Sequence, residues 1–459
     1  MQTNFSAQQL AKPQIAEADS ILRSCVHCGL CTATCPTYVL LGDERDSPRG
    51  RIYLIKDMLE QARPASTEVT RHVDRCLSCL SCMTTCPSGV DYMHLVDIAR
   101  AHIRDTAPRS PAERLMRRFI ARTVPQPDRF RLAMLAGKLA KPFSGLMRGL
   151  GMKRLAAMTE LVPKGLPRRG AYRFPGVFGV QATRKRRVIL SAGCAQQVLR
   201  PDINDATIRL LNRSGIDVVV PPRAGCCGAL TLHMGEAGEA EAMARTNIEA
   251  WEQAIDEAPV EAILINTSGC GTTIKDYGHL MRRDGRFVAR AGRIAAISKD
   301  VTEYLIGQDL GAPKRWSSLR VAYHSACSLQ HGQQVRDEPA SLLRKAGFAL
   351  TEIAEGHICC GSAGTYNMLQ PELSAELRAR KIGHIEQARP DVVATGNIGC
   401  ITQLQKGTAI PVVHTIELLD WAYGGPCPRG LGHFEMRMSD VPPTGMDGIA
   451  LAGALARRR

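Results

Sequence analysis

Two cysteine runs constrain this chain more than any other feature: Cys25, Cys28, Cys31 and Cys35 followed by Pro36, and Cys76, Cys79, Cys82 and Cys86 followed by Pro87. Each reads C-x2-C-x2-C-x3-C-P, a spacing that holds 4Fe-4S clusters through thiolates. Two intervening residues let the backbone curl so that three sulfurs face one centre, while the fourth Cys is displaced. Zinc fits less well, because its four ligands typically come as two pairs and each run here carries a third Cys at the same interval. A disulfide framework belongs to small secreted domains, whereas this chain has 459 residues and opens on MQTNFSAQQLAKPQ, without a basic stretch leading into an apolar one. The expected compartment is therefore a reducing cytoplasm, where 17 Cys signify metal.

A ferredoxin with two such runs exchanges its fourth ligands between clusters. On that rule Cys25, Cys28, Cys31 and Cys86 serve one 4Fe-4S cluster, and Cys76, Cys79, Cys82 and Cys35 serve the other. Between the runs, Ser47 and Pro48 read as an N-cap and first helical position, with Ile52, Leu54, Ile55, Met58 and Leu59 on one helical face. Leu95, Ile98 and Ile103 repeat the pattern after Cys86. The expectation for residues 1–108 is an α-helical ferredoxin domain with two clusters.

From residue 188 the sequence duplicates itself. Cys194, Cys226-Cys227-Gly228 and Cys270 are answered by Cys327, Cys359-Cys360-Gly361 and Cys400, the first two landmarks at an offset of 133 residues and the last at 130. Each copy alternates β-rich runs with helical stretches: Val188 to Ser191, Asp217 to Val220 and Ala262 to Asn266, then Val321 to Tyr323, Leu350 to Ile353 and Asp391 to Ala394. That alternation predicts duplicated α/β domains with largely parallel sheets, over 188–312 and 313–425, ahead of a C-terminal tail, 426–459. The Cys follow predicted strand ends, where open α/β sheets place ligands, so each quartet is a candidate for a further metal or cluster. His324, His331 and His357 flank the second set and are candidates to complete a metal shell, although the first copy has Ser191 opposite His324. His233 and Tyr366 lie just after the Cys-Cys-Gly turns.

The net charge of +15 resides in one segment. Residues 109–187 hold 20 Lys or Arg against Glu113, Asp128 and Glu160, while the rest of the chain has 39 basic against 41 acidic residues. This Pro-, Gly- and Arg-rich stretch reads as a basic linker or docking segment, within which Leu132 to Leu150 suggests a basic amphipathic helix for an anionic membrane or an acidic partner. A solvated linker remains the plain alternative. Few aromatics interleave the charges and no nucleic-acid fold motif occurs, so nucleic acid is not an expected partner. No apolar stretch is long enough to span a membrane.

These motifs resemble the iron–sulfur subunits of membrane-associated flavin dehydrogenases, built from a helical ferredoxin and two CCG domains. The likeness runs from about residue 20 to 422, and Ser47-Pro48-Arg49-Gly50-Arg51 and Cys359-Cys360-Gly361-Ser362-Ala363-Gly364-Thr365-Tyr366 look most like the glycolate oxidase branch. The resemblance implies a relay of electrons from FAD on partner oxidase subunits toward a quinone or other acceptor, with glycolate becoming glyoxylate elsewhere in the complex. It also implies peripheral attachment to the inner face of the cytoplasmic membrane. Lactate and glycerol-3-phosphate dehydrogenase subunits share the pattern, as does the heterodisulfide reductase module, in which the CCG halves would themselves be catalytic. No G-x-G-x-x-G opening a helix after a strand marks a flavin or nicotinamide site here. One departure stands out: the fullest CCG motif ends in C-x2-C, but Cys270 and Cys400 are followed three residues on by Thr273 and Gln403.

Overall fold

The structure, a computed structural model, describes residues 1–439 apart from Lys164, Arg168, Arg173 and 181–185. The tail beyond 439 and the basic pair Arg184 and Lys185 lie outside the described residues.

The N-terminal part is helical because its caps and apolar spacing say so. Ser47 accepts a hydrogen bond from Gly50 N at 3.0 Å and Pro48 takes the first helical position, starting the helix Pro48–Glu60 where the sequence sets it. Its face of Ile52, Ile55, Met58 and Leu59 packs against Ala18 and Leu22 of Pro13–Ser24, Val69 and Val73 of Thr67–Asp74, and Leu95 and Ala99 of Tyr92–Thr106. Cys25, Cys76 and Cys82 join this core, so the cysteine loops are anchored to its helices.

Two parallel-rich sheets follow. The first contains β1 (Gly176–Phe178), β2 (Arg186–Ser191), β3 (Ile216–Val220), β4 (Ile263–Ile265) and β5 (Ser298–Asp300), in the order β1-β3-β2-β4-β5. A short ribbon pairs β6 (Trp316–Ser317) with β11 (Met438–Ser439). The second sheet holds β7 (Arg320–Tyr323), β8 (Ala349–Thr351), β9 (Val392–Thr395) and β10 (Val412–His414), in the order β10-β9-β7-β8. All pairs in both sheets are parallel except β1, which runs antiparallel to β3. The central strands β3 and β9 are buried throughout, as expected where helices cover both faces. The expected fold class is thus borne out.

The basic segment is packed. Ile120 and Ala121 of its helix Pro111–Thr123 join Met234 and Leu369 from the two cysteine-rich halves, and β1 completes the first sheet. The helix expected over Leu132 to Leu150 is broken into Pro127–Ala140, the 3-10 turn Lys141–Phe143 and Ser144–Gly149. Pro142 accounts for the break, since it lacks the amide hydrogen that an unbroken helix would use.

A polar seam joins the ferredoxin helices to the first cysteine-rich half. The His94 ring meets Asp91 at 2.5 Å and Asp276 at 3.1 Å, and it stacks on His279 at 3.3 Å between centroids. Burial opposes the charge on His94, but the two carboxylates prevail and raise its pKa to about 10. Glu17 also suffers burial, yet His279 and Arg282 hold its pKa down to about 2.

Candidate metal centres

In both ferredoxin loops the residues flanking the second Cys turn left-handed, His27 and Gly29 at φ 60° and 86°, Ser78 and Leu80 at φ 51° and 63°. This is how two-residue spacers curl a chain around one centre. The first cavity is lined by Cys25, Cys28, Cys31 and Cys86, with Cys82 at its border. The second is lined by Cys35, Cys76, Cys79 and Cys82. Pro48 and Tyr92 border both. The structure therefore brings Cys86 to the first run and Cys35 to the second. Cys28 is exposed, whereas all four sulfurs of the second cavity belong to buried residues.

Donors surround these sulfurs. Ser78 N lies 3.4 Å and the Tyr92 hydroxyl 3.7 Å from Cys76 Sγ, while Thr37 Oγ1 lies 3.3 Å and Arg51 Nη1 3.8 Å from Cys35 Sγ. Arg51 is 1 % exposed and is fixed by His72 O at 2.7 Å, Thr37 Oγ1 at 2.9 Å and Asp46 at 3.3 Å. Burial disfavours its charge, but Tyr92, Cys76, Cys35 and Asp46 raise its pKa above the ordinary guanidinium range. Burial pushes the Cys79 thiol up, and nearby Cys327 and Cys35 push it further. Cys31 is raised to about 11, again chiefly by burial. Without metal these thiols keep their protons; a bound cation displaces them. Four thiols per cavity, ringed by N–H and O–H donors and a buried guanidinium, fit thiolate-held iron, whose negative charge those donors offset.

The cysteine-rich quartets are also brought together. The thiols of Cys194, Cys226, Cys227 and Cys270 interact along one row, and those of Cys327, Cys359, Cys360 and Cys400 along another, with Cys327 Sγ 3.7 Å from Cys359 Sγ. Cys327 is pushed up by its bond to Cys359 and by burial. The Gly of each Cys-Cys-Gly is obligatory: Gly228 and Gly361 have φ 88° and 86°, and a Cβ on Gly361 would lie 2.6 Å from Ser374 O of the helix Pro371–Gln387. At the positions of the missing thiolates, Thr273 turns to Gly269 O at 3.5 Å and Gln403 donates to Ser374 Oγ at 2.8 Å. Neither offers a sulfur.

The second quartet abuts the second ferredoxin cavity. Leu77 and Cys79 pack with Ile358, Cys359 and Tyr366, and Cys327 borders the same cluster. Of the flanking histidines, His324 is buried within 4.8 Å of the Cys360 and Cys400 sulfurs. His331 instead meets Thr84 of the ferredoxin part at 2.8 Å, its other nitrogen lies 3.4 Å from the backbone oxygen of exposed His357, and His233 faces Asp97 at 3.5 Å. The first quartet borders a cavity of about 380 Å³, which opens on Cys194 and Cys226 between Pro127, Phe174 and Pro222.

Sequence reading missed Lys381, 1 % exposed, whose ammonium donates to Glu355 O at 2.6 Å and lies among the second quartet's thiols. Burial pulls its pKa down while Cys360 and Cys359 favour its charge. Comparing the copies at their own offset would have exposed it, because Ile248 stands opposite.

Fold and thiol sets together define an iron–sulfur protein: residues 21–90 match the 4Fe-4S dicluster domain, and residues 188–275 and 321–405 match the cysteine-rich domain. The chain is 40% identical over 422 residues to the glycolate oxidase iron-sulfur subunit of Escherichia coli (strain K12), covering 92% of this chain and 99% of that one. It belongs to the family of glycolate oxidase iron-sulfur subunits. The probable glycolate oxidase iron-sulfur subunit of Bacillus subtilis (strain 168) is 32% identical over 88% of this chain and 94% of its own length. Lactate utilization protein A of Anoxybacillus flavithermus is 28% identical over 51% of this chain and 98% of its own. A solved structure, a hypothetical protein from Helicobacter pylori, shares the fold at a TM-score of 0.50 and 10% identity, covering 91% of this chain and 74% of that one.

Proposed function

We propose that the chain is the electron-relay subunit of a glycolate oxidase. The observation that carries this is the succession of thiol sets, one at the surface, one buried, and a third touching the second through Cys79. Glycolate is favoured over lactate because the glycolate oxidase relatives match along nearly the whole chain and the lactate utilization protein along half. A partner subunit oxidises glycolate to glyoxylate on its FAD, and clusters bound here supply the one-electron steps toward a quinone or other acceptor. Cys25, Cys28, Cys31 and Cys86 would hold the first cluster, and Cys76, Cys79, Cys82 and Cys35 the second. Val26, 68% exposed, and Leu30, 56% exposed, make an apolar rim beside Cys28, suited to the flavin partner. Burial of Cys35, Cys76, Cys79 and Cys82 excludes water from the second cavity, and the Arg51 guanidinium lies beside Cys35.

Purified alone without oxygen, the chain is expected to be brown, to lack flavin absorption, and to be inactive toward glycolate with an artificial dye. Addition of the flavin subunit restores turnover. Glycolate oxidation by the isolated polypeptide would refute the subunit reading. The cavity beside Cys194 and Cys226 favours a second reading, in which an acceptor such as a disulfide is reduced on this chain. Disulfide reduction by the prereduced isolated chain distinguishes it.

We also propose peripheral attachment to the cytoplasmic face of the membrane. No helix among the described residues is long and apolar enough to cross one. Support comes from Leu132, Leu135, Leu139, Phe143, Leu146 and Leu150, all exposed, and from exposed Arg114, Arg118 and Lys138 in the same basic segment, for which no carboxylate partner is found among the described residues. Arg186, by contrast, is tied to Glu261 at 2.6 Å and holds β2 in place. Attraction of the basic helices to anionic lipid vesicles is expected to weaken as salt shortens the Debye length from about 10 Å at 0.1 M to about 3 Å at 1 M. Reversing Arg114, Arg118 and Lys138 should reduce co-sedimentation while iron stays bound. Equal sedimentation in both salts and in the variant would return these charges to the role of a solvated surface.

A further inference from the structure

His324 occupies an anomalous place. It follows β7 directly, at the strand's carboxyl end, and its backbone N is fixed by Ala394 O at 2.8 Å. The residue is 2% exposed, and neither ring nitrogen has a hydrogen-bond partner. A buried polar group left unpaired carries its full desolvation penalty and calls for an occupant. The neighbouring cation does not supply one, since Lys381 is engaged with Glu355 O. What the imidazole does reach is sulfur: one ring nitrogen and the Cys360 and Cys400 sulfurs all lie within 4.8 Å of one another. In the first half Ser191 stands in this position, and no histidine accompanies that quartet within such a distance among the described residues.

We propose that His324 binds iron together with Cys360 and Cys400, making the second cysteine-rich half a mixed thiolate–imidazole iron–sulfur centre and leaving the first half an all-thiolate site. A closed set of thiolates with one imidazole suits zinc or iron. Iron is selected by location, because Cys79 of the second ferredoxin cavity packs against Cys359 and Cys327, and a redox-inert ion there would end the route. This choice rests on the relay reading above. The neutral imidazole gives this half a ligand that the first half lacks, and histidine in place of cysteine raises the potential in Rieske centres. The two halves of the duplication thereby acquire different potentials.

The test uses the full chain, purified anaerobically and reduced with dithionite, with natural or 15N-labelled histidine. Electron–nuclear double resonance is expected to show a nitrogen coupling that changes with the histidine label and disappears in His324→Ala. Iron analysis should find about eight N-terminal irons retained in that variant, by the two-cubane count. The labelled native chain keeps the proposal testable should the variant fold poorly. Absence of a histidine coupling, its persistence in His324→Ala, or zinc in place of iron would each overturn the assignment. A chain lacking the N-terminal irons would instead fail the relay reading, so the two failures are distinguishable.

Discussion

In the Cys86→Ser variant, N-terminal iron is expected to fall from about eight to about four atoms, and the cluster lost should be the one lost in Cys28→Ser, as the crossed ligand rule requires. Cys86 belongs to the second run in sequence but lines the cavity of Cys25, Cys28 and Cys31, while Cys35 of the first run lines that of Cys76 and Cys79. Cys82 borders both cavities, so proximity alone would let damage spread from either side. The comparison must therefore be made variant against variant, by iron content and by the spectrum of the surviving cluster. Loss of only the cluster held by Cys76, Cys79 and Cys82 in Cys86→Ser would show that each run keeps its own fourth ligand.

Arg51→Ala is expected to be the most damaging change outside the cysteines. The guanidinium is buried against Cys35, Thr37, Asp46 and the His72 carbonyl, and its removal leaves Asp46, 0% exposed, with Arg75 at 2.7 Å as its remaining guanidinium partner. Breaking a buried ion pair in this one-sided way costs about 3–5 kcal/mol. A cluster held by Cys35, Cys76, Cys79 and Cys82 would also lose a positive charge near its sulfurs, which would disfavour the added electron and lower its potential. Arg51→Lys retains charge but cannot span three acceptors, so its stability should fall between the two. Thermal unfolding with a redox titration checks both effects, and unchanged values in Arg51→Ala would exclude the role.

The ferredoxin loops were legible in the sequence because their spacing acts locally, on a few dihedrals, and Ser47-Pro48 because capping is local too. The six strand cores were legible because a covered parallel sheet leaves apolar runs. β1 was hidden, being three residues inside an Arg-rich stretch whose composition reads as linker. β5, Ser298–Asp300, was hidden by its polarity. The meeting of Cys79 with Cys359 is a tertiary event between residues far apart in sequence, and no local pattern announces it. His324 was visible as a residue but not as an unpaired one, since only packing decides whether an imidazole finds a partner. Lys381 was hidden by its type, because lysine ordinarily marks a surface.

The packing of Ile358, Cys359 and Tyr366 over Leu77 and Cys79 also bears on how the protein is made. The cover of the second cavity leaves the ribosome some 280 residues after the thiols it shelters. At about 5–20 residues per second, translation alone separates the two by roughly 14–56 s. For that interval the N-terminal helices can fold while their sulfurs still face solvent and whatever carrier delivers iron. A chain that closes before loading must open this contact again, so cofactor insertion and the order of synthesis are coupled through a handful of apolar side chains.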